Sequence, residues 1–158
     1  MIREIVKDVE FLTQKSEPVS LEESKEIVGD LLDTANFYGD ECAGLAAPQI
    51  GVHKRVVVIR NGNSFYPMIN PIIVRKMGKK FINNEGCLSL EGSRSVERSS
   101  SVLVSYMDKN GKRQTKTFNG ISSIIVQHET DHLNGVLIWL KIIKTFFKKL
   151  YQNTLLFC

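Results

Sequence analysis

No run of apolar residues in this 158-residue chain approaches the roughly 20 that a membrane helix needs. The opening Met1-Ile2-Arg3-Glu4 leads into charged residues, not into the apolar core of a signal peptide. Cysteine is scarce. Three cysteines cannot all pair within one chain, which excludes a disulfide scaffold. Four prolines and eleven glycines are too few for a disordered or collagen-like chain. These absences point to a cytoplasmic protein without a secretion signal and without integral membrane association. A hydrophobic content of 42% at this length suits a single domain over residues 1–158 with a core of its own.

Acidic residues are missing from one end. None follows Asp131, whereas Lys141, Lys144, Lys148 and Lys149 do, and these four equal the whole formal charge of +4. The first 132 residues are therefore neutral overall, and basicity belongs to the tail. A tail of this kind suits a negative surface such as RNA or lipid. A neutral body gives no reason to expect DNA as a partner.

Punctuation and periodicity outline the elements. After the break at Ser16-Glu17-Pro18-Val19, Ser20 with Glu23 forms a capping-box pattern. Ile27, Val28, Leu31, Leu32 and Ala35 then recur at helical spacing, which predicts a helix over 21–37 ended by Phe37-Tyr38-Gly39-Asp40. Val56 to Ile59 reads as a strand, followed by a turn at Asn61-Gly62-Asn63. Met68 to Val74 is a second strand, bent or placed at an edge by Asn70-Pro71. Val102 to Tyr106, the turn Asp108-Lys109-Asn110-Gly111 and Gln114 to Phe118 form a hairpin. A second long helix is expected over 121–133, stopped by Gly135. Val136 to Ile138 reads as a short strand or extended turn. Residues 139–151 read as a third, amphipathic helix with lysines opposite Trp139, Leu140, Ile143, Phe146, Phe147 and Leu150. The fold class is α+β: small, mostly antiparallel sheets packed around a central helix, with N-terminal and C-terminal helices.

The chemistry is concentrated in that central helix. His128 and His132, four apart, share one helix face and can offer two nitrogens to one metal. Glu129, beside the first of them, is placed to act as a general base on water, which is the pattern of metal hydrolases. The bland alternative is two ordinary histidines near a helix end. A catalytic tetrahedral metal needs a third protein ligand and an open position. Candidates are His53, Cys42, Cys87, Cys158 and the carboxylates. Cys87 stands out within Glu85-Gly86-Cys87-Leu88-Ser89, where a thiolate suits zinc or ferrous iron; its alternative role is a small buried hydrophobe. The small-residue run Gly44 to Gly51 allows close backbone approach to a ligand and carries Gln49.

Three motifs in order resemble the peptide deformylase family. They are Cys42-Ala43-Gly44-Leu45-Ala46-Ala47-Pro48-Gln49, then Glu85 to Ser89, then Gln127-His128-Glu129-Thr130-Asp131-His132. The resemblance spans about residues 5–138. It implies removal of the N-formyl group from the formylmethionine of nascent polypeptides, with release of formate. It implies one divalent metal ion on Cys87, His128 and His132, iron(II) by preference with zinc or nickel as replacements. Glu129 would be the base, and Gln49 with the Leu88 backbone N–H would stabilise the oxyanion. Gly44 would pair with the substrate like an added strand. Ile121, Ile124 and Ile125 would line the methionine pocket, with Glu85 and Arg94 near its mouth. Asp131 would orient the helix or a nearby cation.

Departures mark a divergent, bacterial-type branch. Cys42 stands for the first glycine of its motif, Asp8-Val9-Glu10-Phe11-Leu12 for an N-terminal Pro-x-Leu segment, Glu91-Gly92 for Pro-Gly, and Ser99-Ser100 for a region often holding proline. A monomer is expected, and the resemblance implies that the basic C-terminal helix (139–158 with its apolar tail) can dock on the ribosome. Two other readings remain open at the level of sequence. One is a peptidase of the His-Glu-x-x-His type. The other is a catalytically silent metal-containing protein of the same fold that binds nascent chains or the ribosome.

Overall fold

The computed structural model describes residues 1–138. A short helix α1 (Val9–Leu12) precedes the long helix α2 (Leu21–Tyr38). Five strands follow: β1 (Gly44–Ala46), β2 (Val56–Asn61), β3 (Ser64–Cys87), β4 (Leu90–Met107) and β5 (Arg113–Asn119). Helix α3 (Gly120–Leu133) closes the described chain. The strands form one antiparallel sheet in sequence order, β1 to β5. The expected helix over 139–151 and the tail lie outside the described residues. No helix among the described residues is long and apolar enough to cross a membrane.

Helix α2 begins where the capping box placed it. The Ser20 hydroxyl accepts from the Glu23 N–H, and the Glu23 carboxylate accepts from Ser20 N. It ends at Gly39, whose φ of 53° favours glycine. Its buried stripe, including Leu31 and Ala35, packs with Leu45, Val56, Val58 and Ile69. Helix α3 covers the opposite face, where Ile125, Val126 and Leu133 meet Ala46, Val57, Ile59, Met68, Val102 and Val104. Strand β2 thus sends alternate side chains to two helices, which is why Val56 to Ile59 is continuously apolar instead of alternating. Each such fully buried aliphatic side chain contributes about 1.5–3 kcal/mol.

The break at Asn70-Pro71 is a shift of register. Ile69 pairs with Met107 but Ile72 with Ser105, and Asn70 between them has a φ of 51°. The Asn70 side chain bridges to both backbone groups of Val19, fixing the approach to α2. Past this point β3 continues to Cys87, well beyond the strand expected to end at Val74. Further register shifts fall between Ile73 and Arg75, Met77 and Lys80, and Gly86 and Cys87. Beyond Ile69 no strand among the described residues pairs with the second edge of β3, and Arg75, Lys76, Lys79 and Lys80 are exposed along it. Val136 and Leu137 form no strand. Gly135, at φ 66°, stops α3 where the backbone of Thr13 crosses so closely that a Cβ would collide with its carbonyl.

Candidate active site

Cys87 sits at the tight turn joining β3 to β4, where Cys87 pairs with Leu90. His128 and His132 come from adjacent turns of α3. The three converge. Cys87 Sγ lies 3.3 Å from His132 Nε2, which lies 3.3 Å from His128 Nε2. They form the metal-ligating cluster found among the described residues, their donor atoms all within 4.8 Å of one another. A tetrahedral ion with bonds of about 2.0–2.3 Å spaces its ligand atoms about 3.3–3.6 Å apart, so this donor set fits a single divalent cation. His132 Nδ1 is buried with no hydrogen-bond partner, and burial together with neighbouring His128 holds its pKa well below the ordinary value. That favours a neutral imidazole, the form that ligates metal.

The other sequence candidates for a third ligand are engaged elsewhere. His53 stacks on Phe11 with ring centroids 4.0 Å apart, and its Nε2 is 2.9 Å from the Phe11 carbonyl. Cys42 is buried and donates its S–H to the Gly44 carbonyl at 3.3 Å. Burial pushes its thiol up to about 12, so it stays protonated. Cys158 lies outside the described residues. Three protein ligands leave a fourth position for water or substrate, as in catalytic sites.

A charged network stands behind the ligands. Glu85 accepts from His128 Nδ1 at 3.0 Å and receives a two-point contact from Arg98, 2.7 Å from Nε and 2.6 Å from Nη2. Arg98 Nη1 reaches the Asp131 carboxylate at 2.5 Å. The Arg98 side chain is fully buried. Burial would raise the Glu85 pKa, but the hydrogen bonds from Arg98 and His128 outweigh it and pull it down to about 2. Burial likewise opposes a charge on His128, yet the Cys87 sulfur and Glu85 push its pKa up to about 10. Sequence reasoning placed Glu85 at a pocket mouth and did not find Arg98, which lies among serines and charged residues and reads as solvent-facing. It named Gln127 within the third motif but gave it no role; its side chain grips both backbone groups of Ser99 and ties α3 to β4.

In front of the cluster a cavity of about 590 Å³ opens between β1, the Cys87 turn and α3. Glu129 lines it with Gly44, Gln49 and Leu88. Its carboxylate is buried, and Oε2 has no hydrogen-bond partner. Burial pushes its pKa up to about 7 against the pull of His128 and Arg98. The Gln49 amide has a fixed sense. Its Oε1 accepts from Ala46 N at 2.9 Å, which turns Nε2 toward Ser89 Oγ at 3.3 Å and Cys87 Sγ at 3.5 Å. Ile121, Ile124 and Ile125 supply an apolar wall from α3. Arg94 pairs in register with Glu85 across β3 and β4 and donates to the Ser93 carbonyl at 2.8 Å; it lies beside the cavity instead of on its wall.

A cysteine and two histidines placed to hold one divalent cation, with a buried carboxylate on the residue after the first histidine, define a metal-dependent hydrolase. The family model described as polypeptide deformylase matches residues 2–146. A peptide deformylase of Clostridium beijerinckii is 44% identical over 138 residues, covering 87% of this chain and all of that protein. One from Desulfitobacterium hafniense is 40% identical, covering 86% of this chain and 91% of its own. Among solved structures, the Thermotoga maritima peptide deformylase superposes with a TM-score of 0.82 at 32% identity, over 89% of this chain and 97% of that one. A Synechococcus elongatus peptide deformylase in complex with actinonin gives 0.79 at 37% identity, over 88% and 76%. The chain belongs to the polypeptide deformylase family. With its metal cluster in place, it is a metal-dependent hydrolase of that family.

Proposed function

We propose that this chain hydrolyses the N-formyl group of formylmethionyl peptides, giving formate and a free N-terminal methionine. The observation that carries this reading is the convergence of Cys87, His128 and His132 beside a cavity lined by Cys87, His128, Glu129 and Gln49. A divalent cation held by the three ligands, iron(II) by preference with zinc or nickel able to replace it, supplies the Lewis acidity that makes water nucleophilic near neutral pH.

The protein's own groups do the rest. Glu129 accepts a proton from the attacking water, and its buried, unpartnered Oε2 suits that role. Negative charge then grows on the former carbonyl oxygen of the formyl group. Gln49 Nε2, held in one sense by Ala46, and the Leu88 N–H donate to that oxygen. Glu129 returns its proton to the departing amine nitrogen as the C–N bond breaks. Strand β1 presents an edge to the peptide. Ala43 O accepts from Arg60 N at 2.8 Å, so alternation turns the Gly44 N–H and C=O away from β2 toward the free side. Ile121, Ile124 and Ile125 receive the methionine side chain, while Glu85 acts behind His128 and Arg94 borders the entrance.

This reading makes residues 1–158 one catalytic domain, monomeric and cytoplasmic, acting on chains as they are made. Docking on the ribosome through residues 139–158 belongs to the same proposal. The test is formate release from formyl-Met-Ala-Ser by protein purified without oxygen and loaded with iron(II). Metal-dependent release is expected. No release from fully metallated protein would overturn the reading in favour of the catalytically silent alternative.

A further inference from the structure

Four consecutive residues, Glu41 to Gly44, form one wall of the cavity. They leave little tolerance. A Cβ placed on Gly44 would stand 2.5 Å from Glu129 Oε1 and 2.7 Å from Ile125 Cγ2, so this backbone lies directly against the catalytic carboxylate. The regular sheet reaches this approach only at Ala43, since β1 starts at Gly44 and the preceding turn spans Gly39–Glu41. Between Gly39 and Cys42 the tie to the sheet is one side chain on β2. Arg60 Nε donates to the Cys42 carbonyl at 3.1 Å, and its Nη2 donates to the Gly39 carbonyl. Nη1 lies 3.6 Å from the Asp40 carboxylate. The guanidinium rests on the Phe65 ring, 4.8 Å from its centroid. The backbone N–H of the same residue holds Ala43 O.

We propose that Arg60 is a positioning residue for substrate binding. Its planar fork bridges two carbonyls of the 39–42 segment and thereby sets where the Gly44 edge stands relative to Glu129. Arg60 is absent from the cavity wall, so it acts through the backbone it holds. A lysine has one compact head and cannot bridge both carbonyls in a plane. The thiol of Cys42 reports the same clamp, because it is buried and bonded to Gly44 O while the clamp is closed.

The inference rests on the deformylase reading, and two readouts separate their failures. In the iron-loaded enzyme, Arg60→Ala should raise KM for formyl-Met-Ala-Ser about ten-fold while kcat stays within about two-fold. Arg60→Lys should recover only part of the loss, and Asp40→Ala, which removes a fully exposed carboxylate, should change neither constant. Metal content should match the unsubstituted protein throughout. Independently of activity, iodoacetamide should label Cys42 faster in Arg60→Ala, read by mass spectrometry of the peptide that contains it. An unchanged KM and unchanged labelling in Arg60→Ala, or a fall in kcat alone, would overturn the proposal. If Arg60→Ala does not fold, Arg60→Lys carries the same two tests. An unsubstituted protein that releases no formate would defeat the deformylase reading, and the labelling would still decide whether the clamp exists.

Discussion

The two sides of the metal cluster are built on opposite principles. Behind it, Glu85, Arg98 and Asp131 cross-link β3, β4 and α3 through a buried guanidinium. In front, small residues and backbone face an isoleucine wall, with a carboxylate that finds no partner on Oε2. The rear spends its polar groups on one another and so fixes the ligands. The front leaves Glu129 Oε2 without a partner, free to take a proton. A site of this kind needs both, since a ligand set that can shift by a fraction of an ångström loses its geometry, and a reactive group already bonded has nothing to offer.

The comparison can be broken from either side. On the front, Glu129→Ala should keep a full complement of metal and lose about 10²- to 10⁴-fold in kcat, measured by formate release alongside metal analysis. Loss of metal together with activity would show that Glu129 assembles the site instead of working in it. On the rear, Arg98→Met takes the guanidinium from the buried Glu85 and the half-buried Asp131. It should destabilise the fold by about 3–5 kcal/mol in urea unfolding, and a loss below about 1 kcal/mol would mean that Glu85 and Asp131 find other partners. Glu85→Gln is milder. It should weaken metal affinity about 10- to 100-fold, read by competition with a chelator, with little change in kcat once metal is saturating.

The smallest effect is the most diagnostic of the rear. The native pKa of Glu85 is about 2, below the roughly 4.3 of an unfolded glutamate. Its contribution is therefore complete above about pH 4.3 and fades as pH falls toward 2. Unfolding free energy measured between pH 5 and 2.5 should fall less steeply in Glu85→Gln than in the unsubstituted protein. Parallel slopes would show that the carboxylate is not held charged by Arg98.

These two sides also differ in how far the sequence revealed them. The front was legible because its residues work locally. His128, Glu129 and His132 lie on one helix, and Gln49 follows a run of small residues. The capping box at Ser20 and the Asp108 to Gly111 turn were equally local, and their elements fall where expected. The rear depends on pairings distant in sequence. Arg98 meets Glu85 thirteen residues away and Asp131 thirty-three away, and no local pattern marks a guanidinium that will be buried. The long arms of β3 and β4 were hidden for a related reason. Bulges break their alternation, and over 72–84 both faces of β3 carry exposed or half-buried side chains, so no period of two survives. Helix α1 is four residues long, too short for periodicity; only Asp8 as its cap and the buried Leu12 signal it.

The unpaired edge of β3 has a consequence for the protein's life in a crowded solution. An uncovered strand edge invites a second chain to add itself, strand upon strand. Here that invitation is withdrawn by Arg75, Lys76 and Lys79, whose like charges would have to be pressed together, and by bulges that spoil the straight template a neighbour would need. The cations that look idle on this arm keep its open edge from becoming a seam between two copies of the protein.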